Sequence, residues 1–117
     1  MMVMEFWAGW FDYWAHPRNP LNNQYFEKTL RDIVRRGASL NFYMFHGGTN
    51  FGFMNGALTA ETGYYTADVT SYDYDCPINE HGIKNDKWYI IKKVIQEYRK
   101  STVLASNDEV ISSRDYG

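Results

Sequence analysis

Two short apolar runs, each followed by a segment with a helical pattern, constrain the fold of this chain more than any other feature. Residues 1–5 form the first run and end abruptly in the carboxylate of Glu5, and residues 39–45 form the second. Short apolar runs of this kind are typical of strands that are buried inside a sheet. Strands that alternate with helices favour parallel βα units, because a parallel connection needs a long crossover. The sequence therefore predicts an α/β fold.

The first helix follows a loop that is rich in aromatic, proline and asparagine residues. Asn22 or Asn23 can cap this helix, which we expect to reach about Arg36 before Gly37 ends it. Its apolar residues recur at helical spacing and should face a core: Phe26, Leu30, Ile33 and Val34.

The second run is followed by a long segment without periodicity and then by a second helix. Residues 46–85 are punctuated by glycines, and a loop of this length is uncommon in a compact domain unless it is functional. Asp86 can cap a helix over about 87–100. The expected apolar face of this helix consists of Ile91, Val94, Ile95 and Tyr98. The tail, 101–117, stays unassigned.

Two buried strands cannot form a stable sheet by themselves, because their edges and faces would stay uncovered. We therefore expect this chain to be the C-terminal fragment, about the last two βα units, of a larger α/β domain. A (β/α)8 TIM barrel is one such domain, and its catalytic residues lie at the carboxyl ends of the strands. Glu5 and the segment from Tyr43 onward are placed in that way.

Composition excludes several kinds of partner. The 14 acidic and 12 basic residues are nearly balanced and form no basic block, which argues against nucleic acid. The apolar start of the chain reaches Glu5 after four residues, too soon for a membrane span. The single cysteine, Cys76, cannot form a disulfide within the chain. Aromatic residues make up 18% of the chain, and they suit either an aromatic core or a sugar-binding surface.

Glu5 is the most conspicuous candidate for chemistry. A carboxylate between Met-Val-Met and Phe-Trp is not expected to be a solvated surface charge, and burial is costly unless the group is paired. One interpretation is a structural ion pair at the end of the strand. The other is a nucleophile or base at the mouth of a barrel, with Trp7 and Trp10 as an aromatic wall. The local sequence leaves both open.

Other polar residues favour structural roles. Asp12 could act as a second carboxylate, but an aspartate in such a loop more often bonds to nearby backbone. The glycines that follow His46 lack the spacing of a nucleotide-binding loop, and a lone histidine does not make a metal site. Asp73 and Asp75 could bind a hard cation, but the pattern of a calcium loop is absent. We expect neither a metal nor another cofactor.

Three stretches carry a family resemblance. Residues 4–14 read Met-Glu-Phe-Trp-Ala-Gly-Trp-Phe-Asp-Tyr-Trp, residues 41–57 read Asn-Phe-Tyr-Met-Phe-His-Gly-Gly-Thr-Asn-Phe-Gly-Phe-Met-Asn-Gly-Ala, and residues 70–75 read Thr-Ser-Tyr-Asp-Tyr-Asp. Together they resemble the β-galactosidases of glycoside hydrolase family 35. The likeness covers about residues 1–96, and its most specific part is Gly-Gly-Thr-Asn-Phe-Gly.

The resemblance implies a TIM barrel, with residues 1–100 supplying the seventh and eighth strands and their helices. It implies that Glu5 is the nucleophile of a retaining β-galactosidase, which hydrolyses terminal non-reducing β-D-galactose residues of galactosides. Tyr43 matches a tyrosine near that nucleophile, and Tyr74 matches a tyrosine that contacts galactose. The family also implies a lysosomal or secreted location, for which the chain itself carries no signal.

The family's acid/base glutamate, in an Asn-Glu motif on an earlier strand, has no counterpart in this chain. Asn79-Glu80 and Asn107-Asp108-Glu109 lack the right context, because both come after the last expected strand. We therefore expect the chain to need the missing N-terminal barrel strands and to be inactive alone. The alternative is a non-catalytic galactoside-binding module or pseudoenzyme that keeps Glu5 and the tyrosines without the acid.

Overall fold

The computed structural model describes residues 1–59 and 63–112, with the backbone alone for 102–112. The elements in chain order are β1 (Met2–Phe6), α1 (Asn23–Arg35), β2 (Ser39–Phe42), β3 (Ala57–Thr59), β4 (Tyr65–Ala67) and α2 (Asp86–Ser112). Strands and helices form a small α/β unit, which confirms the predicted class. No helix in the described ranges is long and apolar enough to cross a membrane.

The strands β1 and β2 pair in parallel, with α1 as the crossover between them. Met2 lies opposite Ser39 and Phe6 lies opposite Phe42, so β1 carries more residues than β2 over the same length. The register shifts after Val3, as in a β-bulge, where an extra residue bends a strand and increases its twist. The irregular part of β1 therefore includes Glu5.

The helix α1 forms as its sequence predicts. The Asn22 side chain accepts hydrogen bonds from the first backbone N–H groups of the helix, at 2.9 Å from Gln24 and 3.1 Å from Tyr25. Gly37 has a φ of +65°, in the left-handed region where glycine ends helices at little cost. The predicted helix is therefore confirmed at both ends.

A small aromatic and aliphatic core lies between the two-stranded sheet and the two long helices. Phe6 on β1 stacks on Phe26 of α1 with ring centroids 5.2 Å apart, and Phe42 lies 5.6 Å from Phe6. Leu30 is fully buried beside them, and α2 contributes Ile91 and Val94. The other two residues of the predicted apolar face of α2, Ile95 and Tyr98, are exposed.

The strands themselves are much less buried than the sequence predicts. Met2 and Met4 are 56% and 65% exposed, and β2 alternates between exposed and half-buried residues. The prediction of strands buried on both faces is wrong for this chain. The reason is that the sheet of β1 and β2 has only two strands in the part of the chain that the structure describes.

Two boundaries also differ from the prediction. The segment 46–85 is not without structure, because β3 and β4 pair in antiparallel fashion within it and a bridge between Tyr13 and Asp68 joins it to the loop after β1. The helix α2 begins at Asp86 as predicted, but it continues to Ser112 rather than ending near residue 100. The last five residues of the chain, 113–117, lie outside the described residues.

Candidate active site

The carboxyl ends of β1 and β2 meet at one edge of the sheet because the two strands are parallel. Glu5 is the penultimate residue of β1, and Tyr43 directly follows β2. The Tyr43 N–H donates to the carbonyl of Phe6 at 2.9 Å, so the pairing continues past the end of β2. The irregular register of β1 bends the strand at Glu5, as bulges often do beside active sites. The sheet therefore brings two predicted site residues to the same edge.

The Glu5 carboxylate is exposed, contrary to the expectation of a group withdrawn from solvent. Trp7 donates its indole N–H to Glu5 Oε2 at 3.1 Å, and this is the one side-chain hydrogen bond to Glu5 within the described ranges. No ion pair involves Glu5 in that part of the chain.

Three tyrosines form a cluster beside this edge. The hydroxyls of Tyr43 and Tyr72 are 3.1 Å apart and share a hydrogen bond. Tyr74 is only 3% exposed, and its ring meets that of Tyr43 edge-on at 5.6 Å and that of Tyr72 at 5.1 Å. Tyr43 and Tyr74, predicted from separate motifs, are therefore in direct ring contact.

An aromatic wall connects the tyrosine cluster to Glu5. The rings of Trp7 and Trp10 are 4.8 Å apart, and Trp10 lies 5.7 Å from Tyr74. Phe11 stacks on Trp10 at 4.7 Å and on Tyr72 at 5.9 Å. Flat apolar faces beside a carboxylate and phenol hydroxyls suit a ligand with apolar C–H faces and many hydroxyl groups.

The backbone that carries Tyr74 is unusual. Tyr74 and Asp75 have φ values of +60° and +51°, a left-handed conformation that is uncommon for residues other than glycine. Asp75 forms an ion pair with Lys87, which is 2% exposed, and its carboxylate also accepts the backbone N–H of Leu21 at 2.9 Å. Because such a conformation persists only when its surroundings hold it, the buried pair stabilises the turn that directs Tyr74 inward.

The surroundings of Tyr72 and Tyr74 raise the pKa values of these two phenols. Burial raises the pKa of Tyr74 to about 12, and the negative charges of ionised Tyr43 and Glu5 add to this effect. Burial also raises the pKa of Tyr72 far above its ordinary value of 10, and the hydrogen bond with Tyr43 raises it further. Both side chains are therefore neutral hydrogen-bond donors near pH 7.

The remaining polar residues have structural partners. Asp12 accepts hydrogen bonds from Arg18 Nε and the Asn19 N–H, both at 3.0 Å, which confirms the local role that the sequence favours. His46 Nδ1 lies 3.3 Å from the carbonyl oxygen of Ile78. Among the described residues, no group of three or more His, Cys, Asp or Glu side chains is arranged to hold a metal ion.

The sequence interpretation did not single out Tyr72 and Lys87. Tyr72 lies in the same acidic and tyrosine-rich motif as Tyr74. The spacing of two residues between them was a signal that Tyr72 could lie close to Tyr74 in the site. Lys87 carried no such signal, because a lysine in the first turn of a helix is ordinarily solvated.

Comparison with known proteins agrees with this geometry. The family model "Glycosyl hydrolases family 35" matches residues 1–98. Beta-galactosidase-1-like protein 2 of Homo sapiens is 57% identical over 81 residues, which are 69% of this chain and 12% of that protein. Beta-galactosidase of Homo sapiens is 43% identical over 96 residues, and that of Pongo abelii is 44% identical over 96 residues; each alignment covers 82% of this chain and 14% of the relative.

The chain therefore spans only about an eighth of the length of these relatives, but the match to the family covers most of the chain itself. The residues that form the edge of the sheet, the aromatic wall and the tyrosine cluster all fall inside the matched range. This chain belongs to glycosyl hydrolases family 35.

Proposed function

We propose that this chain forms the last two βα units of the barrel of a retaining β-galactosidase, with Glu5 as its nucleophile. Membership of family 35 implies a TIM barrel and a glycoside hydrolase activity. Several relatives bear the name beta-galactosidase, and on this basis we propose terminal β-D-galactose residues as the substrate. The lysosomal or secreted location stays a prediction from the family resemblance.

One observation carries the assignment of the site. Glu5 and Tyr43 lie at the carboxyl ends of adjacent parallel strands, and Tyr74 contacts Tyr43 from the loop that follows β2. In a TIM barrel this end of the strands holds the active site. The exposure of Glu5, which has no cationic partner among the described side chains, suits a carboxylate that must reach a substrate.

In the proposed mechanism Glu5 attacks the anomeric carbon, forming a covalent galactosyl ester while an acid supplied from outside this chain protonates the leaving oxygen. Water then attacks the ester with that second residue acting as base, and galactose leaves with its configuration retained. The Trp7 indole N–H donates to Glu5 Oε2 at 3.1 Å and so orients the carboxylate. The hydroxyls of Tyr43 and Tyr74 donate hydrogen bonds to the sugar.

We further propose that the chain alone is inactive and poorly soluble. The sheet of β1 and β2 has two strands in the described ranges, and Met2 and Met4 are largely exposed on β1. Exposed apolar strands with free edges promote association, and they would be covered by the barrel strands that we propose as their neighbours. Release of galactose from a chromogenic β-galactoside by the isolated, monomeric chain would overturn this proposal.

A chimera tests the nucleophile. In this protein, the chimera, residues 1–98 of this chain are substituted for the matching segment of human beta-galactosidase. A 2-fluoro-galactoside that forms a slowly hydrolysed ester should label Glu5, and the substitution Glu5→Gln should lower kcat by at least about 10³-fold, because no ester can form.

The matched control is Glu97→Gln, since Glu97 lies on the surface of α2 and its side chain is 49% exposed. This variant should keep the activity of the chimera. Label on another carboxylate with Glu5 unmodified, or full activity in the Glu5→Gln variant, would refute the assignment. A chimera that binds galactose but neither hydrolyses the substrate nor takes up the label would favour the non-catalytic alternative.

A further inference from the structure

The backbone of Tyr72 is held in place by the glycine-rich stretch that follows β2. Its N–H donates to the carbonyl of Gly48 at 2.9 Å. Its own carbonyl oxygen lies so close to Gly47 that a Cβ atom added there would be 1.6 Å from it, so only glycine fits at that position. Two glycines of the Gly-Gly-Thr-Asn-Phe-Gly stretch thus hold the backbone of Tyr72 against the end of β2.

The side chain of Tyr72 is equally constrained. Its ring lies between those of Phe11, stacked at 5.9 Å, and Tyr74, at 5.1 Å. Within the described ranges, the one hydrogen-bond partner of its hydroxyl is the hydroxyl of Tyr43, at 3.1 Å. The half-buried phenol is therefore aimed at a single neighbour.

We propose that Tyr72 is a positioning residue that donates its hydroxyl hydrogen to Tyr43 and so leaves the single hydroxyl hydrogen of Tyr43 to be donated to the substrate. A phenol has one hydrogen to donate, so one tyrosine of the pair donates and the other accepts. The Tyr72 hydroxyl has no second acceptor in the described part of the chain, whereas Tyr43 follows β2 at the same edge of the sheet as Glu5. This inference rests on the proposed function.

The donor role follows from the surroundings of both hydroxyls. Burial among the rings raises the pKa of Tyr72 and so favours its neutral form, which keeps the hydroxyl hydrogen available for donation to Tyr43. A hydroxyl that accepts one hydrogen bond becomes a stronger donor, because hydrogen bonds in a chain polarise each other. Tyr43 would therefore donate more strongly than an isolated phenol.

A double-mutant cycle in the chimera tests the inference. Tyr72→Phe keeps the ring and its stacking but removes the hydroxyl, and we expect kcat/KM to fall about 5- to 10-fold, as for the loss of one neutral hydrogen bond. In a Tyr43→Phe background the same substitution should change kcat/KM less than 2-fold, because the group on which Tyr72 acts is gone. Tyr89→Phe, at an exposed position on α2, is the control and should have no effect.

The outcomes are distinct. An unchanged kcat/KM in Tyr72→Phe, or the same loss in both backgrounds, would overturn the inference while leaving Glu5 as the nucleophile. A loss accompanied by a fall of more than about 5 °C in the temperature of thermal inactivation would also overturn it, since the role would then be structural. Full activity of the Glu5→Gln chimera would instead refute the proposed function, and the role of Tyr72 with it.

Discussion

The buried ion pair between Lys87 and Asp75 should control the stability of the turn that carries Tyr74. Lys87→Met keeps most of the apolar stem of the side chain but removes the ion pair of Asp75, whose carboxylate then keeps the Leu21 N–H as its one hydrogen-bond donor among the described residues. It also removes the hydrogen bond from Lys87 Nζ to the Asp75 carbonyl at 3.2 Å. The substitution therefore isolates the effect of the charge at a nearly constant volume.

The magnitude follows from burial. Breaking a buried ion pair by removing one partner costs about 3–5 kcal/mol. The Asp75 side chain is 22% exposed, so water can replace part of the lost interaction, and we expect about 2–3 kcal/mol. Because every 1.4 kcal/mol is tenfold, local opening should become about 30- to 150-fold more frequent.

Hydrogen exchange of the chimera measures this opening directly. Amides in the range 72–91 should exchange about 30- to 150-fold faster in Lys87→Met than in the unsubstituted chimera. Lys28→Met is the matched control, because Lys28 is exposed on α1. The double variant Lys87→Met/Asp75→Asn should exchange these amides at least tenfold more slowly than Lys87→Met alone, since it leaves no unpaired charge. An effect of Lys87→Met within threefold of the control would refute the reasoning.

Two further predictions concern the same region. Gly47→Ala should lower the free energy of chemical unfolding of the chimera by more than about 3 kcal/mol, because the added Cβ would meet the Tyr72 carbonyl oxygen. Gly52→Ala should lower it by only about 1–2 kcal/mol, because the alanine has open space and meets only the unfavourable φ of +59°. Equal effects of the two substitutions would contradict this reasoning. Burial raises the pKa of the Cys76 thiol from 9.0 to about 12. The folded state therefore favours the neutral thiol, and the stability that this gives is complete below pH 9 and is lost as the pH rises toward 12. At pH 8 its thiolate fraction, and hence its rate of alkylation by iodoacetamide, should be about a thousandfold lower than in the urea-unfolded protein, and comparable rates would refute the shift.

The helices were predictable because their signals are local. The Asn22 cap, the apolar spacing and Gly37 lie within one segment, so α1 has the bounds that its sequence indicates. The strands were recognised for the same reason, but their burial depends on neighbours that local sequence does not reveal. The antiparallel pair of β3 and β4 escaped prediction, since three-residue strands are too short to show a period.

The candidate site divides in the same way. Glu5 was conspicuous because a strand that ends in a carboxylate is visible along the chain, whereas Tyr43 was indicated only by the family resemblance. The contacts of Tyr72 with Gly47 and Gly48, about 24 residues earlier in the chain, depend on how a long loop closes on itself. The role of Lys87 could not be predicted either. Its partner Asp75 is brought to it by a left-handed backbone conformation, and the local sequence does not reveal that conformation.

The segment 46–85 is consequently best understood as part of the site rather than as a connection between β2 and α2. Gly47, near its start, admits the backbone of Tyr72, and Lys87, just beyond its end, holds the turn that carries Tyr74 and Asp75. Gly47 and Lys87 therefore anchor the segment at its two ends, and we expect a change at either residue to move the phenols before it disturbs the core of Phe26 and its neighbours. If the proposed function is correct, substitutions at these anchors should therefore lower kcat/KM at temperatures where the fold of the chimera is still intact.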